Sequence, residues 1–241
     1  MRIFAETDKG KVRSINQDAF ALNTLSDGAA LAIVCDGMGG ANAGDVASKT
    51  AVDIILQYIL ASYTPTMNSE AVIKLINNAI ASANFEIYDL SLKDENLKGM
   101  GTTAVVAVVR ENVALICNIG DSRAYLYDNE LKQITRDHSV VQSLVESGKL
   151  SPEQARVHPE KNVITRALGV EKSVLPDSYT VDFNENGKIL LCTDGMSNFV
   201  SENRIFEILK NNNIEKITEL LIEEANRGGG KDNITVAVVS Y

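Results

Sequence analysis

The chain has 241 residues, 45% hydrophobic and 23% charged, enough for one large domain with a substantial core. Its 32 acidic and 23 basic side chains leave a net charge of −9, so no basic stripe is available to neutralise a nucleic-acid backbone. No apolar run approaches the roughly 20 residues a membrane span needs, and the first residues lack a signal-peptide pattern. The three cysteines, Cys35, Cys117 and Cys192, sit in apolar runs without metal-ligand spacing, so reduced buried thiols and a cytoplasmic protein are expected.

Residues 2–8 read as a first strand, followed by a turn at Lys9-Gly10-Lys11 and a polar stretch through Asp18. Residues 20–23 and 29–35 pair as strands, and the loop 36–44 opens a helix over about 45–62 with apolar residues at helical spacing. Ser69 is the expected cap of a long second helix reaching about Leu92. Residues 102–109 with 113–119, and 124–127 with 131–135, form hairpins. Between Asp137 and Gly169 the character changes. A short helix over 140–146, a capping box at Ser151-Pro152-Glu153-Gln154 and a break at His158-Pro159 read as a small insertion or flap. Strands over 178–183 and 188–192, helices over about 202–210 and 214–226, and a last strand from Ile234 complete the pattern. Strands in hairpins and helices in groups predict an α+β fold of antiparallel sheets covered by helices, not a parallel doubly wound sheet.

Three apolar, β-prone runs end on an aspartate in a turn: Asp36-Gly37, Gly120-Asp121-Ser122 and Asp194-Gly195. Asp232-Asn233 stands just before the last strand. Core strands do not carry a charge without a partner, so the pattern predicts carboxylates gathered at one sheet edge around a cation. With only carboxylates and carbonyls on offer, Mg²⁺ or Mn²⁺ suits the site better than Zn²⁺. Arg13 is the candidate to grip an oxyanion beside it, and Asp18 an outer carboxylate that positions water. Gly99-Met100-Gly101-Thr102-Thr103 leads from a helix into a strand, the reverse of a phosphate-binding loop, and is assigned to close backbone packing. Cys117 and Arg123 share the spacing of cysteine phosphatases, but Asp121 inside that loop would repel a phosphate, so coincidence is the better reading. His138 and His158 have no triad context and are read as structural.

In order along the chain, Arg13 with Asn16-Gln17-Asp18, Asp36-Gly37-Met38-Gly39-Gly40, Gly99-Met100-Gly101-Thr102-Thr103, Gly120-Asp121-Ser122-Arg123, Asp137-His138-Ser139, His158-Pro159 with Asn162, Thr165 to Gly169, Asp194-Gly195 and Asp232-Asn233-Ile234-Thr235 resemble the metal-dependent type 2C serine/threonine protein phosphatases, the PPM family, in their compact bacterial form. The resemblance covers the whole chain. It implies a four-layer α-β-β-α sandwich of two antiparallel sheets in a single catalytic domain, 1–241, with a mobile flap at 139–164. It further implies that Asp36 bridges two Mn²⁺ or Mg²⁺ ions, that the Gly37 carbonyl binds one of them, and that Asp194 and Asp232 complete the pair. Asp121 with Asp194 would hold the third ion of many bacterial members, Arg13 would bind the substrate phosphate, and Asp18 and Asn233 would stand behind the ligands. A hydroxide bridging the ions would attack phosphoserine or phosphothreonine in line, without a phosphoenzyme. Phosphorylated proteins are the implied partners, among them a Ser/Thr kinase and its substrates, and the protein would act as a monomer. Two departures stand out: Met38 occupies the place of a histidine proposed as general acid in many eukaryotic members, and Gln17 replaces a common glutamate. The rivals are a non-catalytic phosphoprotein-binding module of the same fold and a phosphatase dependent on Cys117.

Overall fold

The computed structural model describes residues 1–39 and 43–241, so the second half of the loop after Asp36, including Gly40, lies outside the described residues. In chain order the elements are β1 (Arg2–Asp8), β2 (Asp18–Thr24), β3 (Ala30–Met38), α1 (Ala43–Ser62), α2 (Ser69–Lys93), β4 (Gly101–Thr102), β5 (Ala104–Val109), β6 (Val113–Ile119), β7 (Arg123–Asp128), β8 (Glu130–Gln133), α3 (Val140–Glu146), α4 (Pro152–Arg156), β9 (Asp177–Asp182), β10 (Lys188–Cys192), α5 (Asp194–Ser197), α6 (Glu202–Asn211), α7 (Ile214–Arg227) and β11 (Ile234–Ser240).

One sheet runs β1-β11-β10-β7-β8, the other β2-β3-β5-β6-β9 with β4 paired to the end of β3, and the pairings are antiparallel. The period of two along β3 sorts its side chains between two cores. Leu31, Ile33 and Cys35 pack with α1 and α2, whereas Ala30, Ala32 and Val34 join Ile189, Leu191, Ala237 and Val239 between the sheets. A third core sets Leu190, Val236 and Val238 against α6 and α7. Helix, sheet, sheet, helix is therefore the layer order, as expected. Strands buried on both faces explain why these antiparallel runs are continuously apolar instead of alternating. Burying each Val, Leu or Ile side chain among them is worth roughly 1.5–3 kcal/mol.

Local differences from the sequence reading have local causes. β3 does not stop at Cys35; it continues through Asp36 and Gly37 because Gly37 pairs with Thr102 of β4. The cap of α2 is Asn68, whose side chain accepts from the Ala71 N–H at 2.8 Å, not Ser69. Residues 163–168 carry the isolated bridges Ser139–Ile164 and Thr102–Leu168. The Ser151 capping box is present. The ends of segment 139–164 meet: besides the Ser139–Ile164 bridge, the Val140 N–H donates to the Val163 carbonyl at 2.9 Å. Gly101 sits where a Cβ would lie 2.7 Å from the Met38 side chain and 2.9 Å from the Leu168 carbonyl, so this glycine serves close packing.

Candidate active site

The two sheets bring their loaded ends to one cleft of about 230 Å³, bordered by Arg13, Asp36, Gly37, Thr103, Asp121, Asp194, Asp232 and Asn233. The four aspartates expected to converge do so. Each arrives on a different element: Asp36 in β3, Asp121 in the turn after β6, Asp194 at the start of α5 and Asp232 just before β11. Asn162 and Ile164 reach the same cleft from segment 139–164. A larger cavity of about 550 Å³ next door shares Met38 and Ile164, but its walls include apolar side chains of Ile119, Ala167, Val174 and Leu175. The carboxylates belong to the smaller cleft, and charge rather than volume marks the reactive place.

Backbone geometry holds each carboxylate. Asp36 is clamped by neighbouring threonines: its N–H donates to Thr103 Oγ1 at 2.9 Å, and its carbonyl accepts from the Thr103 N–H and the Thr102 hydroxyl, both at 2.9 Å. The glycines of the two Asp-Gly pairs are forced by close approach. A Cβ on Gly37 would lie 2.1 Å from the Gly44 carbonyl, and one on Gly195 would lie 1.9 Å from the Asn233 carbonyl. Asp194 accepts from the Asn198 amide at 3.0 Å. Asn233 ties the first loop to the site, donating to the Lys9 and Ile15 carbonyls at 3.0 and 2.9 Å and accepting from the Gln17 N–H at 2.8 Å.

Asp18 lies directly across from Asp36 in the β2–β3 register and is 6% exposed. The hydroxyls of Thr193 and Thr235 donate to its Oδ2 at 2.9 and 2.7 Å. Its Oδ1 is buried with no partner. Arg13 closes the mouth: its Nη2 donates to Asp232 Oδ2 at 2.8 Å, while half of its side chain remains in solvent.

The electrostatics are those of a site built for cations. Burial pushes Asp18 up to about 7 against the pull of its two threonines, with Asp194 and Asp232 adding repulsion. Asp121 is pushed up to about 8, by burial first and then by Asp194 and Asp137. Asp194 rises to about 6 through burial and Asp232, partly offset by a hydrogen bond with Asp36. Asp36 stands well above the usual carboxylate range, again through burial and then the other aspartates. Arg13 rises because Asp232 bonds it and attracts it, with Asp36 and Asp194 contributing at longer range. Two buried carboxyls in hydrogen-bond contact require a proton or a cation between them, and a divalent ion would keep all of them ionised.

Among the described residues no histidine or cysteine borders the cleft, so the donors are hard oxygens suited to Mg²⁺ or Mn²⁺. Among the described residues no three His, Cys, Asp or Glu side chains close around one point. An ion here would take one or two carboxylates and fill its shell with carbonyl oxygen and water, the coordination habit of Mg²⁺. Cys117 is buried on β6 against the Ser178 hydroxyl at 3.4 Å, and burial pushes its thiol up to about 11. Arg123, its sequence partner, is committed to Asp137 through contacts of 2.7–3.1 Å. Burial of the thiol and the engagement of Arg123 by Asp137 leave no phosphate cradle around Cys117. Sequence reasoning missed Thr103, Thr193 and Thr235. Thr193 stands immediately before Asp194 and Thr235 three residues after Asp232, which is a positional signal; Thr103 has none in the sequence and meets Asp36 only through strand pairing.

Comparisons with known proteins agree with this geometry. The family model described as Protein phosphatase 2C matches residues 9–218. The serine/threonine phosphatase stp of Listeria monocytogenes serotype 4b (strain F2365) is 41% identical over 235 residues, spanning 97% of this chain and 93% of that protein. The crystal structure of the serine/threonine phosphatase Stp1 from Staphylococcus aureus superposes with a TM-score of 0.93 at 35% identity, covering 99% of this chain and 94% of that one. The catalytic domain of the serine/threonine protein phosphatase PstP, solved in complex with two manganese ions, gives a TM-score of 0.86 at 35% identity, covering 98% and 96%. The chain belongs to the protein phosphatase 2C family and is a metal-dependent protein phosphatase.

Proposed function

We propose that the cleft hydrolyses phosphoserine and phosphothreonine in proteins by direct attack of water on phosphorus. Asp36, the Gly37 carbonyl, Asp194 and Asp232 would hold two divalent ions, and Asp121 with Asp194 a third. Such ions, when bound, acidify a coordinated water and neutralise charge on the transferring phosphoryl group. The residues of the chain do the rest. Arg13 carries five N–H donors, of which Asp232 engages one, so the others are available to phosphoryl oxygens at the mouth. Thr193 and Thr235 hold Oδ2 of Asp18, which leaves Oδ1 beneath Asp36 as an acceptor that orients water or a ligand on the deep side. Asn233 keeps the Arg13 loop in register with Asp232. Among the described residues no thiol, imidazole or serine hydroxyl borders the cleft, and the Thr103 hydroxyl is engaged by the Asp36 N–H and Ser122, which favours water over a side-chain nucleophile.

One observation carries the reading: four aspartates from four separate elements meet opposite an arginine. We further propose that the chain forms one catalytic domain, 1–241, in which segment 139–164 acts as a flap over the cleft, supported by Asn162 and Ile164 at its wall. A role as a cytoplasmic monomer that reverses a Ser/Thr kinase rests on kinship with bacterial phosphatases; no described helix is long and apolar enough to cross a membrane. The test is hydrolysis of p-nitrophenyl phosphate and a phosphothreonine peptide by metal-stripped protein. Activity restored by Mn²⁺ or Mg²⁺ and indifferent to iodoacetamide supports the proposal. No activity under any condition would favour a binding module with this fold.

A further inference from the structure

His138 is 2% exposed and borders neither the carboxylate cleft nor the cavity beside it, yet it grips the turn that carries Asp121. The Gly120 N–H donates to His138 Nδ1 at 3.1 Å, and the His138 N–H donates to the Gly120 carbonyl at 2.9 Å. One residue therefore holds both polar groups of Gly120, immediately before Asp121. The Nε2 edge faces Asp177 Oδ2 at 3.1 Å and Arg166 Nη1 at 3.3 Å; because the Gly120 N–H makes Nδ1 the acceptor, the ring proton sits on Nε2 and is given to Asp177, and the guanidinium lies alongside without a hydrogen bond to the ring. Asp177 is itself held by Arg166 at 3.0 Å. On the opposite side the turn has no room to relax. A Cβ on Gly120 would lie 2.5 Å from the Thr103 side chain, and the Thr103 hydroxyl meets the Ser122 hydroxyl at 2.7 Å.

We infer that His138 is a positioning residue for Asp121, an imidazole locked in one tautomer by Asp177 so that its Nδ1 fixes the Gly120 peptide and aims the next carboxylate into the cleft. The inference rests on the reading of Asp121 as a cation ligand. Histidine suits the task because it presents an acceptor and a donor on opposite edges of one rigid ring. The carbonyl of an asparagine reaches the Nδ1 position, and the amide of a glutamine reaches the Nε2 position, so two substitutions separate the two contacts.

The experiment is Mn²⁺ titration of metal-stripped protein, with free Mn²⁺ read by electron paramagnetic resonance and the fold checked by circular dichroism. Asp121→Asn is expected to remove one ion from the titration. His138→Gln, whose carbonyl does not reach the Nδ1 position, should weaken that same ion about ten- to hundredfold, the usual penalty for losing a partner behind a metal ligand. His138→Asn should bind all ions nearly as the unaltered protein does. His138→Gln added to Asp121→Asn should cost nothing more, because both changes act through one site. If His138→Gln fails to fold, Asp177→Ala takes its place: weakening of the same ion by about threefold supports the inference, and unchanged binding overturns it. Equal losses with asparagine and glutamine would reduce His138 to packing and overturn it. A folded His138→Gln protein with full affinity overturns it while leaving the metal reading intact. If Asp121→Asn itself binds every ion normally, the metal reading of Asp121 fails, and the inference fails with it.

Discussion

Removing Asp137 isolates the forces that brace the site from below. Its carboxylate accepts from Arg123 Nε and Nη2 at 2.7–3.1 Å and from the Gln133 amide at 3.0 Å. Both partners are largely buried, with side chains 24% and 10% exposed, and they border the cavity that also contains Asp121 and Asp194. Asp137→Leu would leave the Arg123 guanidinium with only the Tyr125 hydroxyl, at 3.1 Å. Breaking one side of such a pair costs about 3–5 kcal/mol, whereas replacing both partners with apolar groups is close to neutral. At roughly 2–4 °C per kcal/mol for a chain of this size, the thermal midpoint of metal-stripped protein should fall by about 6–20 °C. Arg123→Met combined with Asp137→Leu should recover most of that loss. The assay is thermal unfolding followed by circular dichroism. A single variant within about 0.5 kcal/mol of the parent, or a double variant as unstable as the single, would refute the reasoning.

Arg13→Ala should lower kcat/KM by about 10²–10³-fold on a phosphothreonine peptide, with Arg13→Lys recovering part of it, since the guanidinium is the cation at the cleft mouth. Cys117→Ser should retain activity, because the thiol is buried and its pKa is pushed up to about 11. Burial holds His138 below its ordinary value, so its folded form resists protonation more than its unfolded form does. It therefore contributes stability above about pH 6.5 that is lost as pH falls, and unfolding midpoints compared between the parent and His138→Asn should show the parent declining more steeply on acidification. Glu146 is pulled down to about 2, chiefly by its hydrogen bond to Arg136, yet both side chains are about 40% exposed. Glu146→Gln should accordingly change stability by less than about 1 kcal/mol in a denaturant melt.

The cleft aspartates are legible because burial makes them conspicuous. An aspartate that ends a run such as Ile189 to Cys192 has no reason to be there without a partner. Arg13 is a candidate from its polar stretch, and Asn233 follows from the family resemblance. What the pattern concealed lies in contacts between the two sheets. The Thr193 and Thr235 hydroxyls meet Asp18 only because β10 and β11 of one sheet pack against β2 of the other, and threonine is so common in strands that its type says nothing. The continuation of β3 through Asp36 is hidden for a different reason: its partner β4, in the same sheet, pairs with it across 63 to 65 residues of chain. Asn68 took the cap from Ser69 because either residue type suits that position and only backbone angles decide between them. His138 was read as structural, and its hold on the Asp121 turn depends on a loop 18 residues earlier.

The central claim is that these aspartates hold divalent ions where Arg13 holds phosphate. Anomalous scattering from crystals grown with Mn²⁺ tests it most directly. The account predicts manganese peaks within coordination distance of Asp36, Asp194 and Asp232, roughly 2.0–2.2 Å from carboxylate oxygens. At saturating Mn²⁺, a cleft without anomalous peaks, or peaks only at other surface carboxylates, would contradict it.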